Sequence, residues 1–297
     1  MLVLDPDGGR WIGARWDAGG RLTMLAALTP GEMAEPLDVS WDGVAVGRAQ
    51  DVSGNVRGVK WDRQGRITDL GTLPGANASS AVAINRHHVI VGYTDDDWNE
   101  GHALRWGRGG VPEDLGPLPG GTFSKALHVD DRGTAYGISG TSDGGISVVR
   151  WDVGGRITEL PGPPGSTYGW VVGANDRGSA VGITGGPTIG EVSVRWSGEG
   201  GMAVLPALPD DAYLRADPIA INDESTVVGQ LMRPDLSVRC VYWNRDGEVE
   251  PLPALAPGGE YYCQPKQINA HGVAIGNSML IVNGVGENRA VLWRGVR

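Results

Sequence analysis

The sequence predicts an all-β fold: a six-bladed β-propeller of four-stranded antiparallel blades, closed by amino-terminal strands that complete the last blade. Three observations carry this expectation. A tryptophan recurs at Trp16, Trp61, Trp106, Trp151, Trp196, Trp243 and Trp293, spaced 45, 45, 45, 45, 47 and 50 residues apart. Each period holds four short segments rich in Val, Ile and Thr and bounded by Gly, Asp or Asn, the composition of strands, with no 3.6-residue periodicity. Tight turns alternate with long connections, and four hairpin-linked strands per period match a propeller blade. A β-helix is the structural alternative, but its stacked parallel strands would not need paired hairpin turns.

Taken in order, the repeats align on the glycine after V-x-V, at Gly47, Gly92, Gly137, Gly182, Gly229 and Gly276, which gives six copies. A first strand such as AVAIN (Ala81 to Asn85) leads through a tight turn to a second, Val89 to Gly92. After a loop comes ALRW (Ala103 to Trp106), and after a second tight turn a segment such as RITDL (Arg66 to Leu70). In NDRGS (Asn175 to Ser179) and WDVGGR (Trp151 to Arg156), Asp or Asn is followed closely by Gly, which makes a hairpin turn with a left-handed residue. These turns share one edge of the sheets. The long connections, such as Thr94 to Gly101 and Gly71 to Ser80, share the other. The last repeat ends at Trp293-Arg294 without a fourth strand, while the chain starts with a spare third strand (Trp11 to Trp16) and a spare fourth (Arg21 to Leu25). Residues 1–297 are therefore read as one closed domain, with no exposed sheet edge where the termini meet.

The run Asp114 to Gly137 (DLGPLPGGTFSKALHVDDRGTAYG), with AVAIN and GHALRW (Gly101 to Trp106), resembles the HAF-type repeat, often described as an extracellular repeat. The resemblance spans nearly the whole chain and implies the repeat architecture, with no settled activity or catalytic residues to carry over. Ala103-Leu104 stands where the family name has Ala-Phe. The amino terminus, with Asp5 and Asp7, lacks the basic start and apolar run of a secretion signal, so the expected location is the cytoplasm.

Charge narrows the partners. With 25 Lys plus Arg against 35 Asp plus Glu, the net charge is -10, a poor match for nucleic acid or an anionic membrane. No apolar run approaches the roughly 18 residues of a membrane span. Cys240, in a predicted strand, and Cys263, in a predicted loop, are expected as reduced thiols. A monomer is expected, and no cofactor: there is no Cys/His set at zinc spacing, no phosphate-cradling glycine loop and no nucleophile elbow. The oxygen-rich stretch Asp95 to Glu100 lacks the spacing of a calcium loop and is read as a solvated acidic loop, so no metal is expected.

Comparing the copies with one another separates frame from site. The Trp and Gly columns are alike everywhere and serve packing and close backbone approach. Ser40, Asn85, Asp130, Asn175, Asn222 and Asn269 form a short polar column expected to satisfy the turn backbone. Two positions in the first strand are chemically diverse among the copies. One reads Asp38, Ala83, His128, Gly173, Ala220 and Gln267, the other Glu35, Ser80, Lys125, Trp170, Asp217 and Gln264, and both sit where the long loops enter the expected ring. As solvated loop-edge residues they would do nothing together. Gathered round one opening they support acid–base chemistry. His128 is the candidate acid or base, because imidazole exchanges protons near neutral pH. Asp38, Glu35 or Asp217 would assist it, and Lys125 would stabilise developing negative charge. His87, His88 and His271 fall in or beside tight turns on the opposite edge and weigh less. Apart from the repeat tryptophans, the aromatic residues gather in or beside the long loops, which suggests a surface of aromatic faces. Trp170, Tyr168, Tyr213, Tyr262, Tyr93 and Trp98, with Gln267, are the candidate substrate-binding residues.

Two functions remain open on these grounds. One is a small-molecule binder, taking a largely apolar organic ligand and extending to a cofactor-independent isomerase, cyclase or lyase. The other is a non-enzymatic module that binds protein or carbohydrate across the same face.

Overall fold

The computed structural model describes residues 2–4, 11–17, 19–94, 100–107, 109–209, 212–255, 263–282 and 285–297. Among these residues lie 26 strands in seven antiparallel sheets, and the chain divides into two compact units, residues 1–159 and 160–297.

In the first unit, β1 (Leu2–Leu4), β2 (Trp11–Trp16) and β3 (Leu22–Met24) form a three-stranded sheet. Three four-stranded sheets follow: β4 (Ala34–Val39), β5 (Ala45–Gln50), β6 (Val56–Trp61) and β7 (Ile67–Asp69); β8 (Ser79–Ile84), β9 (Ile90–Thr94), β10 (Ala103–Trp106) and β11 (Pro112–Asp114); β12 (Ser124–Val129), β13 (Ala135–Gly140), β14 (Ile146–Trp151) and β15 (Ile157–Glu159). The second unit has two more: β16 (Tyr168–Ala174), β17 (Ala180–Gly186), β18 (Gly190–Trp196) and β19 (Met202–Val204); β20 (Arg215–Ile221), β21 (Val227–Met232), β22 (Val238–Trp243) and β23 (Val249–Pro251). It ends in a three-stranded sheet of β24 (Cys263–Ile268), β25 (Val273–Val282) and β26 (Val285–Arg294).

Consecutive strands pair in every sheet, so each repeat is a meander, as the alternation of turns predicts. Among the described residues, the amino-terminal strands do not join the sheet of the last repeat, as the sequence leads one to expect. Strand β2 pairs with β1 on one side and β3 on the other, and the sheet of the last repeat keeps three strands. Yet the amino-terminal pair occupies the place of a preceding repeat toward β4–β7. Trp61 Nε1 donates to Ala26 O at 2.6 Å, just as Trp151 Nε1 donates to Gly116 O at 3.1 Å, both across 35 residues.

The repeat columns have distinct physical causes. In all six first strands the ladder slips at one position, between Pro36 and Asp38, Ala81 and Ala83, Ala126 and His128, Val171 and Gly173, Pro218 and Ala220, and Pro265 and Gln267. This recurrent β-bulge bends the strand, and close by a backbone carbonyl lies over the glycine of the second strand. A Cβ on Gly92 would stand 1.8 Å from Ser80 O, and one on Gly137 would stand 1.8 Å from Lys125 O. Close approach, and not a positive φ, demands glycine here. The repeat tryptophans Trp61, Trp106, Trp151, Trp196, Trp243 and Trp293 are buried, whereas Trp16 is 42% exposed. Trp196, Trp243 and Trp293 repeat the stitch through the carbonyls of Pro161, Pro206 and Pro253 at 2.7, 2.7 and 2.8 Å.

The asparagines serve the turns, as expected. Asn85 Oδ1 accepts the amides of His87 and Val89, and its Nδ2 donates to Asp130 O at 2.8 Å in the next repeat; Asn175 does the same with Arg177, Ser179 and Asn222 O. Each amide therefore closes one turn and ties it to the next.

The cysteines correct a sequence expectation. Cys240 and Cys263 form a disulfide with a Cα–Cα distance of 5.8 Å, and Cys263 begins β24 instead of lying in a loop. The pair occupies a recurring contact between consecutive repeats. At the equivalent place Ser79 Oγ receives Gly58 N, Ser124 Oγ receives Ala103 N, and Ser193 Oγ donates to Ala216 O. Side chains already in contact through the repeat frame are well placed for a covalent bond.

Candidate functional site

The first unit holds five of the predicted residues. Glu35 lies in register with Arg48 and accepts its Nε at 2.8 Å. Asp38, at the bulge of β4, accepts the amides of Ile84 at 2.9 Å and Val39 at 2.8 Å. Burial pushes its carboxyl up, and those two amides pull it back. Lys125 holds its ammonium 4.5 Å from the centre of the Tyr93 ring, a cation–π contact that joins β12 to β9. His128 stands at the bulge of β12, one residue before the strand ends at the tight turn of Asp130 to Gly133, and not at the long-loop end that the sequence suggests; Asp38 holds the same place in β4. Its ring keeps some accessible surface, but so much protein surrounds it that burial pushes the imidazole down to about 4.

Tyr136, in register with His128 across the ladder, was missed by the sequence reading. It is buried, donates to Asp130 Oδ2 at 3.4 Å, and burial raises its phenol. The signal was present: its column reads Val46, Val91, Tyr136, Val181, Val228 and Ile275, with one polar member.

In the second unit Tyr168 is half-buried, its hydroxyl 2.5 Å from where a Cβ on Gly185 would stand. Trp170 is 40% exposed. Tyr213 is engaged by two arginines, accepting Arg239 Nη1 at 3.5 Å with the Arg233 guanidinium 5.8 Å from its ring centre. Asp217 pairs with Arg215 at 3.0 Å, which also reaches Glu191 at 3.2 Å, and burial pushes the Asp217 carboxyl up. Gln267 is exposed at the bulge of β24. Trp98, Tyr262 and most of the acidic stretch 95–100 lie outside the described residues.

These contacts bear on chemistry. The carboxylates meant to assist His128 already have partners: Glu35 has Arg48, Asp38 has two amides and Asp217 has Arg215. An imidazole titrating near 4 is about one part in a thousand protonated at pH 7, which suits it to neutral hydrogen bonding and poorly to proton donation.

A second place emerges at the tight-turn edge of the first unit, whose histidines carry little weight in the sequence reading. The residue before each repeat tryptophan is Arg15, Lys60, Arg105, Arg150, Arg195, Tyr242 or Leu292. Arg105 fills the notch beside the next repeat, donating to Asp152 O at 2.6 Å and Val153 O at 3.0 Å. Arg195 likewise donates to Ser225 O and Asn244 O, both at 2.8 Å, and to Arg245 O at 2.6 Å. Arg15 donates to Gly43 O and, at 2.7 Å, to Arg63 O. Where the column holds Lys60, a cleft of about 260 Å³ opens, lined by Lys60, His88, Val44, Leu70, Ile84 and Ile90 among others. In the second unit Tyr242 turns its hydroxyl to Glu250 at 2.5 Å, and the corresponding notch beside His271 is a cleft of about 380 Å³.

His88 adds a second mark. The third residue of the first tight turn is left-handed, and Gly43, Gly133, Gly178 and Gly272 occupy it, whereas His88 adopts it with φ 61° and Ser225 with φ 62°. A side chain there costs about 1–3 kcal/mol of strain. Its Nε2 lies 3.2 Å from Asp42 Oδ1. Ser40 Oγ at 2.5 Å, then Arg63 and His88, hold the Asp42 carboxyl well below the usual carboxylate range.

No family model matches the sequence, and no characterised protein matches it in sequence. Solved structures do share the fold. A post-proline cleaving enzyme from Rickettsia typhi aligns with TM-score 0.60 and 9% identity over 98% of this chain and 51% of that one. A prolyl endopeptidase aligns with TM-score 0.56 and 11% identity over 97% and 47%. TolB from Acinetobacter baumannii aligns with TM-score 0.50 and 12% identity over 84% and 61%. The chain spans about half the length of the two peptidases it matches. Such identities establish a propeller-like all-β architecture and nothing about activity.

Proposed function

We propose that the chain is a ligand-binding β-propeller module that takes a small, largely apolar organic molecule along its first strands, around His128 and Lys125, with binding and not turnover as its task. One observation carries this reading: His128 is a desolvated imidazole at a position where other repeats have Ala83, Gly173 and Ala220, so the fold has no need of it. At neutral pH it offers a ligand one donor and one acceptor in dry surroundings. Lys125 on Tyr93 places a cation and an aromatic ring on the same side of the repeat frame. The depressed imidazole argues against the isomerase or lyase reading.

The alternative is a protein- or glycan-binding platform, favoured by the exposure of Trp170 beside Tyr168. The disulfide further supports an oxidising surrounding for the folded chain. Native mass spectrometry of the protein from its own organism separates the two functions. A bound small molecule that is lost on His128→Ala supports the binder. A bound protein or glycan lost on Trp170→Ala, with no small molecule, replaces it with the platform.

A further inference from the structure

The cleft at Lys60 has the marks of a site. Its walls are apolar: Val44, Leu70, Ile84 and Ile90. Lys60 Nζ has no hydrogen-bond or ion-pair partner among the described residues, unlike the arginines in its column. The nearby Asp62 does not compensate it. Its Oδ1 accepts the amides of Gln64 and Arg66, and its Oδ2 accepts Arg66 Nε at 2.6 Å. On the opposite wall His88 stands in a left-handed position that a glycine would take without strain, and its Nε2 is engaged with Asp42. The turn thus tolerates strain to place an imidazole on a cleft that three sister repeats fill with guanidinium.

We propose that this cleft, at the tight-turn edge between the β4–β7 and β8–β11 sheets, binds a small carboxylate with a branched hydrocarbon tail: Lys60 takes the carboxylate and Val44, Leu70, Ile84 and Ile90 take the tail. A guanidinium at Lys60 would reach the next turn and fill the space, as Arg105 does. Lysine is shorter, carries its charge at a point, and leaves room. The volume limits the ligand to a few heavy atoms beyond the carboxylate. A cationic ligand is disfavoured by the unpaired ammonium, and a purely apolar one would leave that ammonium unsatisfied.

Titration calorimetry with 4-methylpentanoate as probe, and 4-methylpentanamide as its neutral counterpart, tests the assignment. Wild-type protein binds the acid saturably and at least about tenfold more tightly than the amide, the expected discrimination for a charge-assisted contact. Lys60→Met loses that discrimination. Lys60→Arg, checked for folding by circular dichroism, loses the acid because the side chain occupies its place. His128→Ala binds like wild type, which separates this cleft from the site proposed at His128. Absence of saturable binding to wild type, equal affinity for acid and amide, unchanged affinity in Lys60→Arg, or loss of binding in His128→Ala would each overturn the proposal.

Discussion

Two consecutive notches of the first unit differ in the residue before the tryptophan and in the turn that faces it, Lys60 with His88 in one and Arg105 with Gly133 in the other. At Arg105 the guanidinium spans to the carbonyls of Asp152 and Val153 and the space is filled; at Lys60 the same place in the preceding repeat is a cleft. The backbone frame around both is the same meander with the same bulge and the same glycine. The difference teaches that this repeat separates its duties: backbone approach fixes the frame, and the residue before the tryptophan decides whether a notch is plug or pocket.

The frame is where that comparison breaks hardest. Gly92→Ala would drive a Cβ into Ser80 O in the repeat that bears the Lys60 cleft, and a loss of about 3 kcal/mol or more in denaturant-melt stability is expected. A near-silent substitution would mean that the bulge is soft and the notches are not set by backbone.

Cys263→Ala comes next. It removes a covalent version of the contact that Ser79 and Ser124 make by hydrogen bonding, and a closed loop of 23 residues predicts a loss of about 3 kcal/mol, read as a lower urea midpoint. In reducing buffer the wild type should fall to the level of the variant.

A pH series sharpens the account of the other site, at His128. The His128 imidazole titrates near 4 in the folded chain and near 6.5 when unfolded, so between those values the unfolded chain binds more protons. Stability from this group is complete above pH 6.5 and is lost as pH falls toward 4, by about 2–3 kcal/mol in all. Asp38, whose carboxyl burial pushes up, works with opposite sign just above the ordinary aspartate range. The difference between wild type and His128→Gln isolates the histidine. A flat difference from pH 7 to 4 would show the ring to be solvated.

Much of this molecule was legible in its sequence. The spacing of the tryptophans gave the repeat, and turn chemistry gave the four strands; β2 falls where predicted, at Trp11–Trp16. The pairing of the amino-terminal strands was not legible. β1 lies in Leu2–Leu4, too short to read as a strand, and its pairing with β2 yields a seventh sheet. The disulfide was hidden because Cys240 and Cys263 belong to columns whose contact appears only once adjacent repeats are packed. For the site, column comparison found His128 but discounted His88. A histidine in a turn reads as solvent-exposed until its left-handed φ and the shortened Lys60 beside it are seen.

The most direct measurement is a pair of thermal melts in the absence of ligand, on Lys60→Arg and Arg105→Lys. Filling the open notch should raise stability by about 1 kcal/mol through new bonds to turn carbonyls, and emptying the filled one should lower it by about 1–3 kcal/mol by stranding Asp152 O and Val153 O. Opposite signs are the predicted result. Shifts of the same sign, or none in either variant, would contradict the claim that this single column decides which notches are open.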